Sequence, residues 1–268
     1  MTSSLVSGPT ELLLNLDADW SIGSKLFGGY LLREMVAATL TESEHPHPLS
    51  VSAHFLAPPQ AGPAVVEALR LRSGRRTSVV RGSLYSGDRN CAEVIVTAGE
   101  LSPPGTSLWA DPDRALLLPP LESCLPAPSS NPASAQVGHL GHVDLRMDPA
   151  TSGWVSGEAS GVPEARGWMR PRDGVLDLLW LLVAVDALPP VTFAMGIAGW
   201  VPTVSFDVQL RALPTTEWVG VRHRAALISG GWLDETCDIV DENGHLLASG
   251  RQLAGYQEPE APKRPEAT

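Results

Sequence analysis

The chain has little cysteine, no excess of basic charge and no apolar run long enough to cross a bilayer. Its three cysteines, Cys91, Cys124 and Cys237, lie far apart, and no C-x-x-C occurs. That excludes a disulfide framework and a cysteine-built zinc cluster, and it makes a reducing cytoplasm the expected location. Lys and Arg number 19 against 30 Asp and Glu, for a formal charge of −11. With no basic stripe to displace counterions, nucleic acid is not an expected partner. The longest apolar run, "LLWLLVAVDALPP", is interrupted by Asp186 and stopped by Pro189-Pro190, so no membrane span is expected. The start, "MTSSLVSGPTELLLNLDADW", has no basic segment leading into an apolar core, so no signal peptide is read.

Catalytic signatures are missing too. Without G-x-S-x-G there is no nucleophile elbow, and no glycine-rich phosphate loop occurs. His139 and His142 form H-x-x-H without the glutamate of a zinc protease, inside a glycine-rich stretch; both are expected on the surface. His45 and His47 flank Pro46 in what reads as a loop. No metal and no cofactor are expected. Arg72, Arg75 and Arg76 fit the solvated end of a hairpin, or a contact for a phosphate.

What is present is a duplication. The 268 residues are 43% hydrophobic, enough for a substantial core. "GGYLLREMVAATL" (28–40) precedes "SVSAHF" (50–55), and "DGVLDLLWLLVAVDAL" (173–188) precedes "TVSFDV" (203–208). The spacing predicts a helix followed by four antiparallel strands, twice over. "SGD" and "ENG" read as hairpin turns. Aligning Gly29 with Gly174 sets Thr41 opposite Asp186, and aligning the last strands sets Val96, give or take one residue, opposite Gln252. The expected organisation is an N-terminal repeat over 1–101, a Pro/Ser-rich surface linker over 102–135, a C-terminal repeat over 136–257 and a disordered tail over 258–268. "HVDLRM" and "RGWMRP" read as short strands entering the second repeat. The second helix is apolar all round and must be enclosed. An α+β fold, with a curved antiparallel sheet wrapped round a central helix in each copy, encloses it.

In the order and spacing of "FGGYLLREMVAATL", "SVSAHFLAPPQAGPAVVEALRLRSGRRTSVVRGSLY", "AVDALPP", "PTVSFDVQLRALPTTEWVGVR" and "LLASGRQLAGY", the chain resembles the bacterial acyl-CoA thioesterase II family. The resemblance implies a double hotdog fold and hydrolysis of acyl thioesters by water. It also implies an Asp on the second helix, a Thr or Ser on the next strand and a Gln on the last strand, holding the attacking water. Those positions match Asp186, Thr203 or Ser205, and Gln252. The implied partners are an acyl-CoA or acyl-carrier substrate and further copies of the chain in a homo-oligomer. A non-catalytic acyl-thioester binder and a hotdog hydratase or dehydratase are the alternatives; "DENGHL" does not match the D-x-N-P-x-H of such hydratases.

The same residues have a physical reading. Asp186 stands at the negative end of its helix dipole, and burial there raises a carboxyl's proton affinity towards that of a base useful near neutral pH. Asp177, about 2.5 turns earlier on the opposite face, sits where the dipole favours it and reads as structural. Alternation sets Gln252 among Ala248, Gly250 and Ala254, which leave room beside an amide that can both donate to and accept from a water. Simple alternation puts Thr203 and Ser205 on one strand face. Gly28 and Gly29 open the first helix, where free amides can hold an oxyanion or where glycine simply allows a tight turn.

Overall fold

The computed structural model describes residues 8–110, 118–129 and 137–256. The first half opens with an edge strand that the sequence pattern did not announce, β1 (Thr10–Leu16). A short pair, β2 (Ser21–Ile22) and β3 (Lys25–Leu26), leads into α1 (Gly28–Leu40). Four strands follow: β4 (His47–Phe55), β5 (Gly62–Ser73), β6 (Ser78–Ser86) and β7 (Arg89–Gly99). The second half has β8 (Leu125–Pro126), β9 (Val143–Met147), β10 (Glu164–Pro171) and a short α2 (Leu181–Ala184). It ends with β11 (Thr203–Leu210), β12 (Val219–Ser229), β13 (Trp232–Asp241) and β14 (Leu246–Gly255). The two expected hairpin turns join β6 to β7 and β13 to β14. Each carries a glycine in the left-handed region, Gly87 at φ 60° and Gly244 at φ 82°, where side chains are disfavoured.

The strands form one 12-stranded antiparallel sheet in the order β1-β5-β6-β7-β4-β11-β14-β13-β12-β10-β9-β8. Read outward from the β4–β11 seam, each side repeats the same sequence of strands up to β1 and β10. At the seam Phe206 pairs with Ala53. α1 packs across β4 to β7 and against α2, with Leu32, Met35 and Val36 at its core-facing side. Inward and outward residues alternate along the strands: on β13, Leu233, Glu235, Cys237 and Ile239 are buried, while Asp234, Thr236 and Asp238 are half-buried.

Two expectations need correction. The second helix does not run over 173–188; regular α-helix is confined to Leu181–Ala184. Asp177 Oδ1 accepts the Trp180 amide hydrogen at 2.7 Å, within the turn that leads into the helix. Pro189-Pro190 closes the other end. Every residue from Leu181 to Val185 is fully enclosed, which accounts for the unbroken apolar sequence. The linker, in turn, is not all loose surface chain. Within it β8 pairs with β9, Cys124 is buried, and Pro119 accepts a hydrogen bond from the Trp168 indole at 2.9 Å. The tail at 258–268 lies outside the described residues. Among the described residues, no helix is long and apolar enough to cross a membrane.

Candidate active site

The two helices meet end to end at a pair of glycines. A Cβ on Gly28 would stand 2.8 Å from Asp186 Oδ2, and one on Gly29 would stand 3.0 Å from the Val183 carbonyl oxygen. Only glycine lets the start of α1 come this close to the residues after α2. The Gly29 amide then donates to Asp186 Oδ2 at 2.8 Å. A carboxylate that gains nothing from the C-terminal end of its own helix is therefore placed at the positive end of another. Gly28 lines the adjoining cavity, and its amide has no acceptor among the described residues.

That cavity has a volume of about 380 Å³. Much of its wall is apolar, with Phe27, Phe55, Leu145, Trp154, Phe193 and Trp200 among the lining residues. Its charged and polar lining comprises Lys25, Asp186, Thr203, His139, His223, Glu235 and Gln252. Thr203 Oγ1 donates to Gln252 Oε1 at 2.7 Å, and Gln252 Nε2 donates to Glu235 Oε1 at 2.5 Å. His223 Nδ1 lies 3.1 Å from the same carboxylate oxygen. Glu235 Oε2 accepts the Val191 amide hydrogen at 3.4 Å.

Burial pushes the Asp186 carboxyl up to about 7; the charge of His223 and the Gly29 amide pull it down, and Glu235 pushes it up again. Its Oδ1 accepts nothing from the described residues, which leaves that oxygen for a water. Burial works against the charge of His223, but Cys237 and Glu235 outweigh it and hold the imidazole well above its usual value. His139 goes the other way, driven down to about 4 by burial, a backbone contact at Ala187 opposing and His142 adding to the fall.

Asp186, Gln252, Thr203 and Gly28 thus line one cavity, and Gly29 reaches it through its hydrogen bond. Ser205 does not join them. A bulge between Thr203 and Ser205 breaks the pairing with β14, so that Thr203 faces Ala254 and Ser205 faces Leu253. The extra residue reverses the alternation, so the two hydroxyls do not share a face. Ser205 lies instead with Asp207, Trp232 and Arg251 in a depression on the other side of the sheet. The histidine expectation also changes. His139 is buried and stacks on Phe27 with ring centres 4.4 Å apart; His142, which is half-buried, stacks on Trp20 at 4.3 Å. Arg72, Arg75 and Arg76 lie at the β5–β6 turn and do not line the cavity. Sequence reading missed His223 and Glu235. The available signal was alternation, which sets His223 among Val219 and Val221 and Glu235 between Leu233 and Cys237 on inward faces.

Comparison with known proteins adds an independent line. Residues 16–99 match a family model described as the acyl-CoA thioesterase N-terminal domain, and residues 121–256 match one described as the acyl-CoA thioesterase C-terminal domain. An uncharacterized protein of Mycobacterium tuberculosis is 34% identical over 261 residues, with 89% of this chain and 88% of the relative covered. Among solved structures, a Thermobifida fusca protein named for thioesterase II superposes with a TM-score of 0.84 at 31% identity, over 92% of each chain. A protein of unknown function with a hot dog fold from Alicyclobacillus acidocaldarius gives a TM-score of 0.80 at 21% identity, over 93% of this chain and 94% of its own. At that identity the likeness is one of fold.

Proposed function

Since the chain belongs to the acyl-CoA thioesterase family, we propose that it hydrolyses an acyl thioester of CoA or of an acyl carrier to free acid and thiol. Water attacks the thioester carbonyl carbon and gives a proton to Asp186. The C–S bond then breaks, and the departing thiolate takes that proton, returning Asp186 to its starting state. Thr203 and Gln252 hold the water, and the apolar wall takes the acyl chain. The unengaged Gly28 amide faces the developing oxyanion, while the Gly29 amide holds the base. An aimed amide of this kind is worth roughly 3 kcal/mol in other enzymes.

The observation that carries this reading is the placement of Asp186. Its carboxylate has one oxygen tied to Gly29 at 2.8 Å, the other unoccupied, and a proton affinity near neutrality, in a cavity that also holds the Thr203–Gln252 pair. Release of free thiol from acyl-CoA substrates of graded chain length tests it. Binding without release would identify a non-catalytic acyl-thioester binder, and product without thiol a hydratase. The sheet order supports assigning the fold as a double hotdog, with repeats over 1–101 and 136–257.

A further inference from the structure

We propose that Glu235, with His223 as its counter-charge, sets the direction of the hydrogen-bond chain through Gln252 and Thr203, and so decides how the attacking water is held. The inference rests on the hydrolytic reading above and goes beyond its Asp, Thr and Gln.

A glutamine amide can face two ways, because its oxygen and nitrogen occupy nearly the same space. Here its surroundings choose. Glu235 stands directly opposite Gln252 in the β13–β14 pairing, and the two side chains touch at 2.5 Å. An ionised carboxylate only accepts, so the amide nitrogen must face it. The amide oxygen then faces Thr203, at 2.7 Å, and the threonine hydroxyl must spend its one hydrogen there. Both lone pairs of Thr203 Oγ1 not used in that bond are left as acceptors, and Gln252 keeps a second N–H. A water in the cavity then donates one hydrogen to Asp186 and the other to Thr203, and it accepts from Gln252. That leaves a lone pair for the carbonyl carbon.

Glu235 is 2% exposed, and a carboxylate so enclosed needs a counter-charge and hydrogen-bond donors. His223, 1% exposed, supplies the pair at 3.1 Å on the same oxygen. The other oxygen accepts the Val191 amide, five residues beyond Asp186. Glu235 thus ties the segment carrying the base to the strand carrying the amide. A neutral side chain at 235 could donate to Gln252, flip the amide and leave Thr203 accepting where it now donates. Glu235 and His223 are positioning residues, because neither is required to touch the substrate.

The test is a double-mutant cycle with a spectroscopic arm. Glu235→Gln keeps the shape and should lower kcat by roughly tenfold to a hundredfold with KM held within about twofold. Thr203→Val should cost a similar factor. The double variant should cost no more than the worse single one, because both break one chain. In ¹⁵N-labelled wild type, one Gln252 side-chain amide proton should lie well downfield and exchange slowly, and in Glu235→Gln that signature should vanish. Asp186→Asn separates the two readings. If it keeps full turnover, the hydrolytic mechanism fails, and the amide resonance alone then decides the chain. If Asp186→Asn is inactive while Glu235→Gln keeps wild-type kcat, or if the two losses multiply, the proposal is overturned. Should Glu235→Gln fail to fold, the wild-type resonance decides: an ordinary, fast-exchanging Gln252 amide overturns it.

Discussion

Asp186 and Gly29, 157 residues apart in the chain, share a 2.8 Å hydrogen bond that joins the end of one helix to the start of the other. Asparagine at 186 can still accept that bond but cannot take a proton from water. Asp186→Asn should therefore fold, and its thiol release should fall by roughly two to four powers of ten, the usual cost of losing a general base. Turnover near wild type, measured with a thiol-reactive dye, would end the mechanism.

The acid limb of the rate profile follows from the same residue. The base works ionised, so kcat/KM should rise with pH through about 7 and fall below it. The groups facing Asp186 are the Gly29 amide on α1, His223 on β12 and Glu235 on β13; His139 lies beside the adjoining Ala187. His139 titrates near 4 and His223 is held well above its usual value, which leaves that limb to Asp186. The stability effect has the opposite sense. A carboxyl raised from 3.8 to about 7 on folding contributes stability that is complete below its unfolded value and is lost as pH rises through the folded one. Calorimetry at pH 8 should find Asp186→Asn melting above wild type, by about 2 °C or more, with the gap closing towards pH 4. A gap that widens on acidification would reverse the assigned shift.

Thr203 and Ser205 make a sharp internal comparison. Thr203→Val removes the hydroxyl that donates to Gln252 and should lower kcat at least tenfold, in keeping with the sensitivity of catalysis to positioning. Ser205→Ala, on the other side of the sheet, should leave kcat within about twofold of wild type. Equal losses in the two variants would mean that the bulge does not separate them in solution.

How much of this was legible in the sequence depends on the residue. The recurring order of elements was visible because helical and alternating periods repeat in the same sequence, and Asp186 stood out because it is the one charge between Leu178 and Leu188. Thr203 against Ser205 could not be resolved, since a bulge reverses alternation without any mark in the local pattern. His223 and Glu235 are unremarkable apart; they gain meaning only when β12 and β13 pair and bring them to 3.1 Å. His139 sits in a glycine-rich stretch that reads as loop, and its burial comes from stacking on Phe27, a residue 112 positions earlier in the chain. In the edge strand β1, Leu12, Leu14 and Leu16 alternate towards the core, but Leu13 between them is apolar and exposed, which hides the period in the sequence.

The close contact at α1 makes its own prediction. A methyl group at Gly29 would stand 3.0 Å from the Val183 carbonyl oxygen and 2.8 Å from the Phe27 ring. The backbone atom cannot swing aside, so Gly29→Ala should lower both the melting temperature and kcat. At Gly28 the nearest atom is the Asp186 carboxylate at 2.8 Å, which can rotate. Gly28→Ala should therefore cost kcat far more than stability, by roughly tenfold or more. A Gly28→Ala enzyme with full kcat would show that the carboxylate's position is not critical.

The mirrored strand order raises the question of a second site, and the register answers it. Phe206 pairs with Ala53 across the seam. Gln252 lies opposite Phe206, and Val94 lies opposite Ala53. The buried positions of β7 nearest that point, Val94 and Val96, are both valine, so the position expected opposite Gln252 in the repeat carries no amide. At the end of α1, Thr41 stands where a base would be needed; its hydroxyl donates to the Ala38 carbonyl at 2.7 Å, an ordinary bond within the last helical turn. At those two positions the first half therefore offers neither base nor amide, while its Gly28 lines the cavity and its Gly29 amide donates to Asp186. Titration with a non-hydrolysable thioether analogue should saturate near one ligand per chain. Thr41→Val should keep kcat within about twofold of wild type, as for a surface change outside the site. Two equivalent ligands per chain in the calorimeter, or a Thr41→Val enzyme that folds normally and loses turnover, would place working chemistry in the first half as well.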